Sequence, residues 1–363
     1  MAYRRSNGKG RKKIEPAVKT LTFSVTVPAA PVGGTVTTNA YIDLSQCASL
    51  VNRRFYRQGI NWAVSGIKFL SNTGLTTSTL NGSVRVLKLP ESWTMSNSWM
   101  KGFAAWQRMN NDALEEAESV RPRFLDYKIY ADVGHHELGF DGNLLPLNSD
   151  GVAATPGEWE SSKYVIPQPG GGTNSREVVA VGPSYPGAGA SGLDAVSLIE
   201  GYAASRGLPP ITDPNAPDDA GDVTGATAEN WIAGIFDEGT TQDDRVLDDM
   251  ISGNNQAPYP FENAQVPGAA PGTVFTDTQY PGGANQLVGM QVHDIEFVTG
   301  TTIGGTTRIK GGLFPCGLIG LRLLNKDDTS SLIHTFTVEL VPGHHRGYLC
   351  EPMTDINTLS SIW

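Results

Sequence analysis

The sequence predicts an all-β protein, an antiparallel sandwich with a few helices in long connections between strands. Short runs of alternating apolar and polar residues occur near both ends of the chain, and turn-forming residues separate them. The composition agrees, because 42 Gly and 23 Pro in 363 residues are typical of β proteins with many loops. A charged content of 18% is too low for a disordered or coiled-coil chain.

The clearest alternation lies in Leu21–Val27, where apolar residues occupy every second position. Such a period places all of these apolar residues on one side of a strand, which is then buried. Further strands are predicted at Trp62–Leu70, Ser83–Leu89, Asp126–Ala131, Val288–Val298, Thr307–Phe314, Leu318–Leu324 and Leu332–Val341.

Three helices are predicted. Asn97–Ser119 carries one apolar stripe with two Trp and one Phe, and we interpret the stripe as core packing rather than as a base-stacking platform. A second helix is expected from Ser191 toward Arg206, and a third from Thr241 to Gly253. Both begin with the spacing of a capping box.

The chain divides into five predicted segments. These are a basic arm (1–19), the first part of the sandwich (20–132), a Gly/Pro-rich acidic insertion (133–287), the final strands (288–342) and a C-terminal tail (343–363). Between Asp194 and Asp249 there are 13 acidic residues and two basic ones. Any polyanion bound by the basic arm would repel such a block, so we expect the insertion to be exposed on the side opposite the arm.

The arm is the candidate binding site. Its first 13 residues contain six cations and no carboxylate, and the whole chain carries −10, so the remaining residues carry −16. This asymmetry indicates that the arm contacts a polyanion. Extended, 13 residues reach about 45 Å. A nuclear import signal and a merely solvated tail are the alternatives. The predicted nucleic-acid-binding residues are Arg4, Arg5, Lys9, Arg11, Lys12 and Lys13.

No catalytic, metal or cofactor site is predicted. His135-His136-Glu137 and His344-His345 resemble ligand clusters, but adjacent side chains in a strand point to opposite faces and no spaced third ligand follows. The acidic stretch Asp213–Asp222 lacks EF-hand spacing, and a less regular calcium site between subunits is the alternative interpretation. Neither a phosphate-binding loop nor a hydrolase motif is present in the sequence.

The three cysteines, Cys47, Cys316 and Cys350, are too widely spaced for a zinc motif and too few for a disulfide framework. We expect buried free thiols in a chain made in a reducing compartment. No apolar run is long enough to span a bilayer, and no signal peptide is expected, so the sequon at Asn81 is read as chance.

Two segments carry a resemblance to a known family. Leu87–Asn110 (LKLPESWTMSNSWMKGFAAWQRMN) looks like a strand, then Pro-x-x-Trp, then a helix with Trp, and Ile309–Leu323 (IKGGLFPCGLIGLRL) looks like a late strand pair. They resemble the capsid (coat) proteins of small circular single-stranded DNA viruses that encode a replication initiator. The resemblance implies a jelly roll, a structural protein that self-assembles, a single-stranded DNA cargo and no catalysis.

Together these observations predict a virion protein that forms an icosahedral shell of about 60 copies or a multiple of that number. The basic arm would bind the genome, and assembly in the host nucleus is compatible with this interpretation. The main alternative is a non-capsid viral or phage β-sandwich, such as a spike or a glycan-binding module. A hydrolase that uses carboxylates of the acidic block is a further alternative.

Overall fold

The computed structural model of the chain describes residues 16–72, 81–115, 126–157, 159–167, 173–184, 189–205, 289–299 and 306–353. In these ranges the strands are β1 Thr20–Val27, β2 Val36–Asp43, β3 Ile60–Asn72, β4 Asn81–Lys88, β5 Tyr164–Pro167, β6 Thr173–Val179, β7 Ala195–Ser197, β8 Gln291–Thr299, β9 Thr306–Phe314, β10 Leu318–Asn325, β11 Leu332–Leu340, β12 Pro342–Gly343, β13 Gly347–Tyr348 and β14 Cys350–Pro352. The helices are α1 Leu44–Asn52, α2 Trp93–Glu115, α3 Val133–Leu138 and α4 Leu198–Ser205.

Two antiparallel sheets form the body of the protein. In sheet I, β1 pairs with β11, β11 with β3, and β3 with β9, while the short β14 pairs with the first residues of β3. Sheet II has the order β2-β10-β4-β8. The prediction of an all-β chain with antiparallel sheets and few helices is therefore confirmed.

The core of the sandwich lies between the inner faces of the two sheets. Alternation along the strands sends every second side chain inward, and Phe23, Phe69 and Phe336 are at most 1% exposed. Phe336 stacks between the other two rings, with centroid distances of 5.3 Å to Phe23 and 4.6 Å to Phe69. Each such ring contributes about 2–3 kcal/mol through burial.

Most predicted strands are confirmed, with ends shifted by a few residues. These are the predicted strands that became β1, β3, β4, β8, β9, β10 and β11. Sequence reasoning missed β2, whose first half (Val36–Asn39) is half-buried or exposed and therefore shows no apolar period. It also missed α1, a helix of nine residues.

The connection from β4 to β8 is the long insertion. The described residues between 89 and 205 contain α2, α3, α4 and a three-stranded sheet in which β6 pairs with β5 and with β7. We call this part the insertion layer. It has its own buried cluster, which includes Trp99, Tyr127 and Leu198 and extends onto the outer face of sheet II at Tyr41 and Leu87. Sheet I, sheet II and the insertion layer thus form three successive layers.

Asp43 joins the sandwich to the insertion layer. It is fully buried at the end of β2 and caps α1, accepting hydrogen bonds from the backbone N–H groups of Ser45 (2.8 Å) and Gln46 (3.3 Å). Its second carboxylate oxygen accepts from Trp159 Nε1 at 2.6 Å and from Gln58 Nε2 at 3.2 Å. One buried carboxylate therefore satisfies donors from α1, from the segment before β3 and from the insertion layer.

The predicted strand at Asp126–Ala131 is wrong. Its apolar residues are buried, but only Tyr130 forms a bridge, to Val179, and its N–H donates to the carbonyl of Val178 at 2.9 Å. The N–H of Ile129 donates instead to Gln58 Oε1 at 2.7 Å, so at this residue a side chain takes the place of a neighbouring strand, which a strand pattern in the sequence does not reveal.

The predicted helix from Ser191 begins later, at Leu198. Ser191 does not cap a helix, because its hydroxyl donates to Glu177 Oε2 at 2.7 Å. Gly192 has a left-handed φ of +79°, and Ala195–Ser197 then pairs with β6 before α4 starts. The predicted helix Asn97–Ser119 corresponds to α2, which starts four residues earlier, and the predicted helix at 241–253 lies outside the described residues.

The segment boundaries also differ from those predicted. The insertion begins at residue 89 rather than at 133, because the chain leaves sheet II after β4. The predicted tail contains β13 and β14, and β14 belongs to sheet I. The three cysteines are free, Cys47 and Cys316 being buried and Cys350 half-buried.

Candidate nucleic-acid interface

The basic arm itself lies outside the described residues, but its point of exit is described. The six predicted binding residues, Arg4 to Lys13, precede residue 16, where the description begins. Both backbone polar groups of Val18 are hydrogen-bonded. Its N–H donates to Asn52 Oδ1 at 3.0 Å, and its carbonyl accepts from Tyr348 OH at 2.6 Å. Asn52 Nδ2 in turn donates to Tyr348 OH at 2.7 Å. The arm therefore leaves the body next to the last residue of α1.

Directly after that residue, α1 ends in a left-handed turn. Arg53 has φ +54° and ψ +42°, and its N–H donates to the carbonyl of Ser49. An L residue in this conformation costs about 1–2 kcal/mol, so the turn must be held by its surroundings. It redirects the chain from the helix into the run Arg-Arg-Phe-Tyr-Arg, residues 53–57.

Tyr56 holds the turn at Arg53 in place. It is 2% exposed and packs at an angle against Trp62 and Tyr348, with centroid distances of 5.8 Å and 5.5 Å. Its hydroxyl donates to the carbonyl of Arg346 at 2.9 Å, and its N–H donates to Ser49 Oγ at 2.9 Å. Since Tyr56 points inward, its neighbours on either side point outward.

Phe55 is 60% exposed between two clefts. The larger cleft, of about 570 Å³, is lined by Arg57, Arg346 and aromatic residues of the insertion layer, and the smaller, of about 280 Å³, by Arg53 and Arg54. The Arg346 guanidinium donates to the carbonyl of Phe55 and ties the two loops together. We call this group the cationic end: Arg53, Arg54, Phe55, Arg57 and Arg346.

One carboxylate borders both clefts. Burial raises the pKa of Asp126, while Lys128, at 3.4 Å, acts in the opposite direction. This favours the neutral acid relative to an exposed aspartate.

The cationic end has the features of a surface for single-stranded nucleic acid. Guanidinium groups neutralise phosphates without reading sequence, and an exposed phenyl ring offers a stacking surface for any base. The described end of the arm adjoins the same turn, because the N–H of Val18 donates to Asn52, the residue before Arg53. Sequence reasoning missed these arginines, although basic residues interleaved with aromatics in residues 53–57 were the available signal.

The adjacent histidines at 135 and 136 serve the structure. They lie in α3 rather than in the expected strand, and both are fully buried. His135 Nε2 bonds Asn143 Oδ1 at 2.7 Å, and His136 Nε2 lies 2.9 Å from Glu177 Oε2. Burial lowers the pKa of His135 to about 4. Within the described ranges, no three His, Cys, Asp or Glu residues are grouped to hold a metal ion, and the Asp213–Asp222 stretch falls outside those ranges.

Comparison with family models, with curated proteins and with solved structures found no match to this chain. Among the helices that the structure describes, none combines the length and the apolar character needed to cross a membrane.

Proposed function

We propose that this protein is the coat subunit of a small icosahedral virus, a jelly roll that packages single-stranded DNA through its arm and its cationic end. The observation that carries the proposal is the order of strands in the two sheets. The location of the arm's exit beside four arginines supports the choice of a polyanionic cargo.

The strand order supports a jelly roll through its symmetry. Along the chain, the first four strands pair with the last four of the sandwich in reverse: β1 with β11, β2 with β10, β3 with β9, and β4 with β8. This is the pairing of one long hairpin wound into two four-stranded sheets, and jelly rolls of viral coats and lectins are built in this way. The insertion layer then occupies the turn of that hairpin.

The charge distribution favours a shell protein over a lectin. The first 13 residues supply six cations and the cationic end four more, whereas the chain as a whole carries −10. A shell of about 60 copies would collect roughly 600 positive charges at the places where arms emerge. Charge of this kind neutralises a substantial share of the phosphates of a genome of about 2,000 nucleotides, and a neutral glycan needs none of it.

The first experiment is recombinant expression of the full chain, followed by electron microscopy and nuclease digestion. The proposal expects closed particles that protect nucleic acid. A soluble small oligomer that is retained on a glycan array would instead favour a glycan-binding module and would contradict the proposal.

A second experiment tests the assigned contacts. The variant R53Q/R54Q/R57Q and deletion of residues 1–13 should each lower the nucleic acid in purified particles, because each removes cations from the same region. Lys163→Gln on the exposed part of the insertion layer, where Lys163 pairs with Glu160 at 2.6 Å, is the control and should leave cargo unchanged. Unchanged cargo in both test variants would refute the interface.

A further inference from the structure

The outward face of sheet I carries a second group of cations. Alternation places Lys68, Arg308 and Lys310 on this face, and all three are exposed. Lys68 and Arg308 are direct partners in neighbouring strands, and Lys310 lies opposite Gly66, one outward position further along the strand pair. Side chains directly opposite each other on a face have Cβ atoms about 5 Å apart.

These cations have no protein counter-charge in the described part of the chain. None of the three forms an ion pair there, and like charges directly opposite each other destabilise a sheet. The strand register places two carboxylates on the same face: Glu339, with Gly66 between it and Lys310, and Glu351, opposite Asn61 near the start of β3. An anion between Lys68 and Arg308 would turn this repulsion into attraction.

The rest of the face is rich in hydroxyl groups. Side-chain hydroxyls donate to phosphate oxygens and so fix a nucleic-acid backbone without reading its sequence. The outward hydroxyl residues of β1 and β11 are Thr20, Thr22, Ser24, Thr26, Thr335 and Thr337.

Around Lys68 and Arg308, nothing in the described residues covers this face, whereas at the start of β3 the outward Asn61 and Ala63 are only 2% and 8% exposed. The buried clusters of the protein include no outward side chain of sheet I, whereas the largest cluster of the insertion layer packs onto sheet II. The arm also approaches this sheet directly, because Lys19, whose carbonyl accepts from Leu340 N–H at 2.7 Å, immediately precedes β1. The described end of the arm is therefore continuous with the first strand of the sheet that carries the cationic face.

We propose that the outward face of sheet I is a phosphate-binding wall that faces the packaged genome, with Lys68, Arg308 and Lys310 as its charged contacts. This inference rests on the proposed function and adds the orientation of the subunit: sheet I inward, sheet II and the insertion layer outward. The ligand is the sugar-phosphate backbone of single-stranded nucleic acid.

The chain offers a matched control. Arg85 and Arg322 are also exposed and directly opposite each other, but on the outer face of sheet II. The variants K68Q/R308Q and R85Q/R322Q thus remove the same charge from the same kind of strand pair on opposite sides of the sandwich. The side chains are exposed, so both variants are expected to fold.

The experiment measures how binding of single-stranded poly(dT) to the full, unassembled chain depends on salt. Removing two phosphate contacts should reduce the slope of log K against log salt by about 1.4 in K68Q/R308Q, and R85Q/R322Q should keep the wild-type slope. Equal losses in the two variants, or no loss in K68Q/R308Q, would overturn the inference. If the deletion of residues 1–13 still lowers cargo in that case, the proposed function stands without this wall.

A second measurement uses the unaltered protein. Acetylation of Lys68 and Lys310 is compared in filled particles and in particles emptied of nucleic acid, with Lys163 as the outward reference. We expect protection of Lys68 and Lys310 only in filled particles. High reactivity both with and without cargo would contradict the inference. Protection in both states would also contradict it, because a second copy of the chain would then cover the face instead.

Discussion

The outer faces of the two sheets differ in burial and in residue type. On sheet II, Tyr41, Leu87 and Leu318 are buried beneath the insertion layer. On sheet I most outward positions carry Thr, Ser, Lys and Arg, and the apolar Leu70, Leu313 and Ile333 stay 48%, 38% and 36% exposed. A sheet covered by its own chain needs apolar residues on both faces, whereas a sheet with a polar, cationic face is suited to an external partner.

The two leucines test this contrast most strongly. Leu87 (4% exposed) and Leu70 (48% exposed) both point outward, one from each sheet. Leu87→Ala should lower the free energy of unfolding by about 3 kcal/mol, because it leaves a cavity beneath the insertion layer. Leu70→Ala should cost less than about 1 kcal/mol. Urea denaturation of dissociated subunits measures both, and equal costs would show that the faces are not covered differently.

Acid is expected to destabilise the sandwich through the buried His334. Burial lowers the pKa of His334 to about 4, and Nδ1 of this residue bonds Ser71 Oγ at 2.7 Å. As the pH falls, this imidazole is protonated in the unfolded chain before it is protonated in the folded chain. The free energy of unfolding is therefore highest above pH 6.5 and falls as the pH approaches 4. His334 should account for a loss of roughly 2 kcal/mol between pH 7 and pH 5.

The variant His334→Gln removes this titration. Its free energy of unfolding should therefore depend less on pH in that window than that of the wild type. His135, whose pKa is also lowered by burial to about 4, reports on the insertion layer in the same way. If His334→Gln leaves the pH dependence unchanged, the sandwich interior does not exclude the charged imidazole.

The smallest effect is expected where the two regions meet. Trp159→Phe removes the hydrogen bond from Nε1 to Asp43 and should cost about 1–2 kcal/mol, since a buried carboxylate loses a donor. Trp99→Phe is the control, because Trp99 Nε1 is buried without a partner in the described structure. Thermal denaturation compares the two variants, and an equal loss of stability would show that the link through Asp43 is not important.

Much of the sandwich follows from local patterns. The alternation in β1 and β11 is strict, so the inward faces around Phe23 and Phe336 could be read from the sequence. The polar start of β2 and the short α1 have no such period. Pairing of β1 with β11 joins residues more than 300 positions apart, and no local pattern specifies such a partner.

The candidate interface was predicted in part. The charge of the arm is evident in the composition, but its proximity to Arg53 depends on Asn52 and Tyr348, which meet only in the folded chain. Likewise, Lys68 and Arg308 are 240 positions apart and become neighbours through the register of β3 and β9. Only the strand register shows that such residues form one surface.

The most direct test of the account is a cryo-electron microscopy map of particles purified with their nucleic acid. The account predicts closed shells in which Val18, Phe55 and sheet I line the lumen and the insertion layer forms the outer surface. Shells with Val18 and Phe55 on the outside, or a chain that stays monomeric and free of nucleic acid, would contradict it.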